Sequence, residues 1–404
     1  MNYRHPFGFG VFAILLALLL DLQSATAKED ESGLPKATPE QVGMNADGLA
    51  KIPARMKEFV EAGKISGAVT LVAKDGKIVH LEAIGLLDVA SKAPMKEDTI
   101  FAIASMTKPI TATALMILVD EGKIKLNDPV AKYIPQFKQA KLKSGDALSR
   151  AITVFDCLTH TSGLVGDQQC PQSLEATGNM LAQRPLGFQP GQRWQYSPGL
   201  NVIGRLIELA AGQPFERFLQ ERIFHPLGMK DTTFTPTAQQ KKRIVTLYKP
   251  GKKKSSLQAA THWINDLSQD RPPNPSGGLF STAADMARFY QAILNGGELD
   301  GKRIVSKVAV KKMTSPQTGD LKTGFTPGNC WGLGWCIVRQ PQGVSESLSE
   351  GTYGHGGAFG TQGWVDPQRK MIYVLMIQRT GFGNSDGSNI RRTLHKLTVE
   401  SLRE

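Results

Sequence analysis

The sequence predicts a mixed α/β fold of the α+β type: one antiparallel sheet built from both ends of the chain, flanked by helices, with a mostly helical insertion between. Three observations carry this. An apolar pair of strands around Asp75-Gly76 follows the first helix-forming segment, and further strand-like runs collect after residue 330. The long middle of the chain, by contrast, reads as helices and loops. The expected organisation is a leader over 1–27 and a single domain over 28–404. Its sheet part covers about 28–104 and 296–404, and its helical part about 105–295.

Taken in order, Met1 to Ala27 carries Arg4 and His5, an apolar run from Phe9 to Leu20 and the small residues Ala25-Thr26-Ala27. That is the pattern of a secretory signal with its cleavage site, so the expected location is periplasmic or secreted; an uncleaved anchor is the alternative, against which the small-residue cleavage site argues. No later stretch approaches the roughly 20 apolar residues a membrane span needs. Asn45 to Ala62 is amphipathic and helical. Gly67 to Lys74 and Lys77 to Gly85 are strands, and Asp-Gly between them is the favoured two-residue hairpin connection. Asp98 to Ala104 is strand-like, Ile110 to Val119 is an apolar helix, and Leu200 to Ala211 is a helix. Gly332 to Arg339, Gly363 to Asp366 and Lys370 to Gln378 read as strands, and Asn389 to Arg403 closes the chain as a helix.

A hydrophobic content of 41% is ordinary for a globular protein, whereas a net charge of +12 is not. Lys241, Lys242, Arg243, Lys249, Lys252, Lys253 and Lys254 concentrate part of that charge. The run suits a solvated loop, with contact to an anionic cell surface through Lys252, Lys253 and Lys254 as the functional reading. No motif or interleaved aromatic pattern points to nucleic acid. Of the four cysteines, Cys330 and Cys336 flank a stretch read as one extended strand, which sets them roughly 20 Å apart, too far to bridge. Cys157 and Cys170 either close a loop or are buried thiols. No cysteine and histidine cluster has metal-site spacing, so neither metal nor cofactor is expected.

The chemistry starts at Ser105-Met106-Thr107-Lys108. A serine needs a base to become a nucleophile, and at i and i+3 of a helix a lysine amine shares its face. The helix N-terminus favours a developing negative charge, and burial of Lys108 would favour its neutral form. Two further constellations follow, Trp194-Gln195-Tyr196-Ser197-Pro198 before a helix and Tyr353-Gly354-His355-Gly356-Gly357-Ala358 near a strand. Three other segments are set aside. Lys322-Thr323-Gly324 lies in a loop. Gly383-Asn384-Ser385-Asp386-Gly387 spells a nucleophile elbow, but that motif needs a strand-to-helix turn with acid and histidine following in order, and only His395 follows, in the final helix. His160 reads as a structural histidine.

Ser105-x-x-Lys108, the Tyr196-Ser197 turn and His355-Gly356-Gly357, in this order, resemble the serine hydrolase family of class C β-lactamases, D-alanyl-D-alanine peptidases and related esterases. The likeness spans nearly the whole chain after the leader. Leu158-Thr159-His160-Thr161-Ser162-Gly163-Leu164, Pro226-Leu227-Gly228-Met229, Gly277-Gly278-Leu279-Phe280-Ser281-Thr282 and Gly332-Leu333-Gly334-Trp335 are similar to its framework segments. The resemblance implies a β-lactamase/transpeptidase-like fold, with Ser105 the acylated nucleophile, Lys108 its base and Tyr196 the proton shuttle. It implies an oxyanion hole from the backbone N–H groups of Ser105 and Ala358, and a substrate-binding strand at His355, Gly356 and Gly357.

The departures bear on substrate. Where the lactamases and peptidases usually carry an asparagine two residues after the tyrosine, Pro198 stands here; Asn201, one helical turn on, offers a substitute but reads rather as a surface or capping residue. The third motif opens with histidine rather than lysine. The expected function is an exported serine hydrolase of small acyl esters working through an acyl-enzyme. A peptidase or lactamase acting on cell-wall-like amides is the alternative, and a catalytically retired binding or assembly protein on the same fold is a third reading.

Overall fold

The computed structural model describes residues 1–3, 33–170, 172–253, 255–267, 271–323, 325–382 and 387–403. The expected leader therefore lies, after its first three residues, outside the described residues, as do Lys254, Gly324 and Ser385. Residues 33–404 gather into one unit.

Its centre is an antiparallel sheet of eight strands. They are β1 (Gly67–Lys74), β2 (Lys77–Asp88), β3 (Ala93–Pro94), β4 (Asn329–Trp331), β5 (Cys336–Val338), β6 (Tyr353–Gly356), β7 (Gln362–Asp366) and β8 (Met371–Met376). The order across the sheet is β4-β5-β6-β7-β8-β1-β2-β3, so the two ends of the chain meet where β8 pairs with β1, Leu71 opposite Val374. The mixed architecture read from the sequence is the one observed. Five helices organise the rest: α1 (Lys51–Glu61), α2 (Thr107–Asp120), α3 (Gly199–Ala211), α4 (Ala283–Leu294) and α5 (Asn389–Glu400).

Strand periodicity decides what lies on each side. Val69, Leu71 and Ala73 of β1 and Ile372, Val374 and Met376 of β8 face the helical part and α4. The alternating Val72, Tyr373 and Leu375 face α1 and α5, which present Ile52, Met56 and Phe59, and Ile390 and Leu394. Each Val, Leu, Ile, Phe or Met side chain among them taken from water contributes about 1.5 to 3 kcal/mol, so the sheet is held from both faces. Helix α2 is different: every residue from Thr107 to Leu118 is buried, as expected of a helix enclosed on all sides.

Local expectations met three corrections. Asn45 to Ala62 is broken into Ala46–Leu49 and α1. The strand-like run Asp98 to Ala104 contributes only Phe101–Ala102, paired with Phe280–Ser281. The supposed single strand from Gly332 is a tight hairpin, β4 and β5, with Trp331 opposite Cys336. Gly334 makes the turn with φ +75°, and a Cβ there would lie 2.5 Å from the Cβ of Ala112 in α2. Cys330 and Cys336 thus stay unpaired for a reason other than distance along an extended strand. Cys330 packs in the core on the α2 side, Cys336 in the core on the α5 side.

In the basic segment Lys249, Lys252 and Lys253 are exposed, while Arg243 is half-buried and paired with Asp231 and Asp98.

All four cysteines are free and buried. The protein unfolded without reductant is therefore expected to release four equivalents of chromophore from a thiol-exchange reagent, and the native protein almost none. Two equivalents from the unfolded chain would reveal a disulfide and contradict the packing described.

Candidate active site

Ser105 occupies a single 3-10 turn, Ala104–Met106, between the Phe101–Ala102 strand and α2. Ala104 holds φ +46°, a left-handed conformation that costs a residue with a Cβ roughly 1–2 kcal/mol. Thr107 Oγ1 donates to Ala104 O at 2.7 Å and fixes the turn. Ser105 keeps 6% of its surface open.

Three residues on, Lys108 has no exposed surface. Its Nζ lies 3.2 Å from Ser105 Oγ, 2.8 Å from Gln168 Oε1 and 2.6 Å from Ser276 O, and 4.6 Å from the centroid of the Tyr196 ring. Burial pushes the amine well below the ordinary lysine range. The Tyr196 phenol is pushed upward by burial, opposed by a hydrogen bond with the Ser105 side chain. One hydroxyl thus meets an amine and a phenol, and both are biased toward their neutral forms.

The Tyr196 turn is held from below by His160, the left-handed cap of the short helix Val154–Thr159 at φ +61°. His160 Nδ1 accepts the Ser197 N–H at 3.2 Å, and its ring centroid sits 4.6 Å from that of Tyr196. Burial keeps this imidazole neutral. The structural reading of His160 agrees with this geometry.

His355 lies within β6 and has no exposed surface. Its Nδ1 is 2.6 Å from Gly356 O, which can only accept, so Nδ1 carries the proton. Its ring stands 6.0 Å from Tyr196 and 5.5 Å from Trp331, a position that backs the tyrosine and is closed to solvent. Burial lowers its pKa to about 3. Beyond Gly356, the chain turns tightly against the residue leading into Ser105. A Cβ on Gly357 would come within 2.5 Å of Ile103 O, and Thr361 Oγ1 donates to that same carbonyl at 3.3 Å. Only glycine lets this turn come so close, and it brings the half-exposed Ala358 beside Ala104 in one apolar cluster. Among the described residues the Ala358 N–H makes no main-chain hydrogen bond.

Asn201 departs from its reading as a surface or capping residue. It is fully buried; its Nδ2 donates to Gln168 O at 2.8 Å and its Oδ1 accepts the Ser276 N–H at 3.1 Å. Gln168, Asn274 and Ser276 were not read from the sequence as site residues. Asn274 and Ser276 sit in a turn-rich Asn-Pro-Ser-Gly-Gly run whose composition marks only a loop, and Gln168 lies in a loop without periodicity. Of the segments set aside, Lys322 is exposed in a loop before β4. His395 is buried in α5, within 3.4 Å of Val344 O.

Fold and site together define a protein of the β-lactamase/transpeptidase architecture with a serine, a lysine and a tyrosine gathered at the start of its central helix. The Beta-lactamase family model matches residues 52–397, and the chain belongs to the beta-lactamase family. An uncharacterized protein of Mycobacterium tuberculosis is 33% identical over 369 residues, 83% of this chain and 90% of that one. Esterase EstB of Burkholderia gladioli is 29% identical over 385 residues, 86% of this chain and 95% of its own. Among solved structures, EstCE1, described as a hydrolase with promiscuous acyltransferase activity, superposes with a TM-score of 0.76 at 22% identity, covering 87% of this chain and 98% of that chain. An octameric penicillin-binding protein homologue from Pyrococcus abyssi gives 0.68 at 23%, covering 87% of this chain and 78% of that chain. At these identities the structural likeness is one of fold.

The burial of Lys108 is open to direct measurement. In protein carrying 13C at the lysine ε position, the resonance lost in Lys108→Ala is expected to titrate well below the ordinary lysine value of 10.5. A midpoint at or above that value would contradict the electrostatics described.

Proposed function

We propose that the protein is an exported serine hydrolase that works through an acyl-enzyme and acts on small acyl esters. The observation that carries the reading is the contact of one serine hydroxyl with both a fully buried lysine amine, at 3.2 Å, and the Tyr196 phenol. In this reading Lys108 takes the Ser105 proton as Oγ attacks the acyl carbon. The N–H groups of Ser105 and Ala358 receive the oxyanion, where one lost donor costs about 2.7–4 kcal/mol. Collapse expels the alcohol, which takes a proton relayed through Tyr196. A water then gives its proton along the same route as it attacks the acyl carbon, and Ser105 is restored. In this reading the main chain of Gly356 and Gly357 borders the acyl group, and His355, read from the sequence as substrate-binding, instead backs Tyr196 from inside the protein. Export rests on the N-terminal sequence pattern; among the described residues no helix is long and apolar enough to cross a membrane.

Esters are favoured over amides by two features. Pro198 offers no hydrogen bond where related lactamases and peptidases present an asparagine, and Asn201 cannot replace it, because both ends of its amide are engaged inside the protein. A buried amide group left unpaired typically costs about 1–3 kcal/mol, which an ester, lacking the N–H, escapes in part. The name of the Burkholderia relative, an esterase, points the same way.

Covalent labelling by a serine-directed phosphonate is expected to vanish in Ser105→Ala and nearly so in Lys108→Ala. Normal labelling of Ser105→Ala together with loss in Ser385→Ala would move the nucleophile elsewhere.

Short-chain aryl esters are expected to be hydrolysed with a kcat/KM about 10² above that for a cephalosporin-type lactam, a difference of roughly 2.7 kcal/mol. Pro198→Asn is expected to narrow the gap. Equal efficiency on both substrates, or a preference for the lactam, would replace the esterase reading by the amide-directed one.

A further inference from the structure

We infer that Gln168 is a positioning residue for the lysine base: its side-chain carbonyl and the Ser276 main-chain carbonyl capture the two N–H bonds of a neutral Lys108 amine and so aim its lone pair at Ser105. The inference rests on the serine hydrolase reading above and extends it to a residue that none of the three sequence motifs contains.

A neutral amine has two N–H bonds and one lone pair, and carbonyl oxygens can only accept. Gln168 Oε1 at 2.8 Å and Ser276 O at 2.6 Å are the two nearer partners of Nζ, and Ser105 Oγ at 3.2 Å is the third. Two acceptors therefore occupy both N–H bonds, and the direction left for the lone pair is the serine, whose O–H can donate into it. Remove one acceptor and an N–H is free to rotate toward Ser105 Oγ, which leaves the hydroxyl facing a donor instead of a base.

The main chains of the two residues that carry these carbonyls are held by one clamp. Asn201 and Asn274 each donate from Nδ2 to Gln168 O, at 2.8 and 2.7 Å. The same two side chains accept the Ser276 N–H through Oδ1, at 3.1 and 2.9 Å. Two asparagines thus tie the peptide groups of the two acceptor residues to each other. One asparagine is rooted in α3 and the other in the 274–276 turn, which Thr111 of α2 also grips through Pro275 O at 2.8 Å. The chain that lacks an asparagine at Pro198 therefore orients its lysine from a different loop, 60 residues away from it in sequence.

The test compares phosphonate labelling rates from pH 5 to 10 in wild type, Gln168→Glu and Gln168→Met, with Ser105→Ala as the control and thermal unfolding as the check on folding. A carboxylate beside Nζ favours the ammonium form by about 1–3 pH units, so Gln168→Glu is expected to move the acid limb of the rate profile upward by at least one unit. At any pH on the wild-type acid limb its labelling rate then falls about tenfold or more, and it recovers at alkaline pH. Gln168→Met, of similar size but without an acceptor, is expected to label about tenfold more slowly at every pH with no upward shift. A merely structural loss would lower the plateau equally in both variants and leave the limb in place. Profiles of folded Gln168→Glu and Gln168→Met that superimpose on wild type, while Ser105→Ala fails to label, would overturn the positioning role alone. Labelling that survives in Ser105→Ala would overturn the serine hydrolase reading, and the positioning role with it.

Discussion

A lysine amine with no access to water must shed its proton or find acceptors for all three N–H bonds, and the surroundings of Lys108 supply two carbonyls and one hydroxyl. Much of the site is organised around meeting that demand. Helix α2 is buried from Thr107 to Leu118, so its first turn cannot open the amine to solvent. The 161–170 loop and the 274–276 turn are brought to it by hydrogen bonds that would otherwise have no reason to converge. The Tyr196 ring covers what remains. A soluble lysine at the same spacing would be a charged surface group without basic character at neutral pH.

The fold supplies the rigidity this arrangement needs. The meeting of β1 with β8 joins the two ends of the chain into one sheet, and β6, three strands from β1, delivers the Gly356 to Ala358 turn against Ile103. The packed rings of His160, Trp194, Tyr196, Trp331 and His355 fill the space between sheet and helical part, with centroids 4.6 to 6.3 Å apart in the contacts among His160, Trp194 and Tyr196. Their two histidines are held neutral by burial, so neither adds a positive charge to the site at ordinary pH. The strained turn at Ala104 is tolerated because it sits inside this frame.

Legibility in the sequence followed the range of the interactions. The Asp75-Gly76 hairpin, the closing helix and the apolar run of β8 were readable because turn chemistry, helical periodicity and apolar runs are local. The grouping of Ser105 with Lys108 was readable for the same reason, three residues on one helical face. The β4–β5 hairpin was not: Gly332-Leu333-Gly334-Trp335 is apolar enough to pass for strand, and its turn is enforced by the approach of Ala112 from α2. Asn201 looked like a capping residue because its partners, Gln168 and Ser276, lie 33 and 75 residues away. Gln168 carries no local signal at all, since its place is set by asparagines that arrive from two other segments.

The central claim is that the neutral amine of Lys108 makes Ser105 a nucleophile that becomes acylated. Its most direct test is acid quenching of the protein during turnover of an aryl ester, followed by mass analysis of the intact chain and its peptides. The account predicts a mass increase equal to one acyl group, confined to the peptide containing Ser105 and absent from Lys108→Ala quenched at the same time. Turnover with no acyl group on that peptide at any quench time, or an acyl group carried by a different residue, would contradict it.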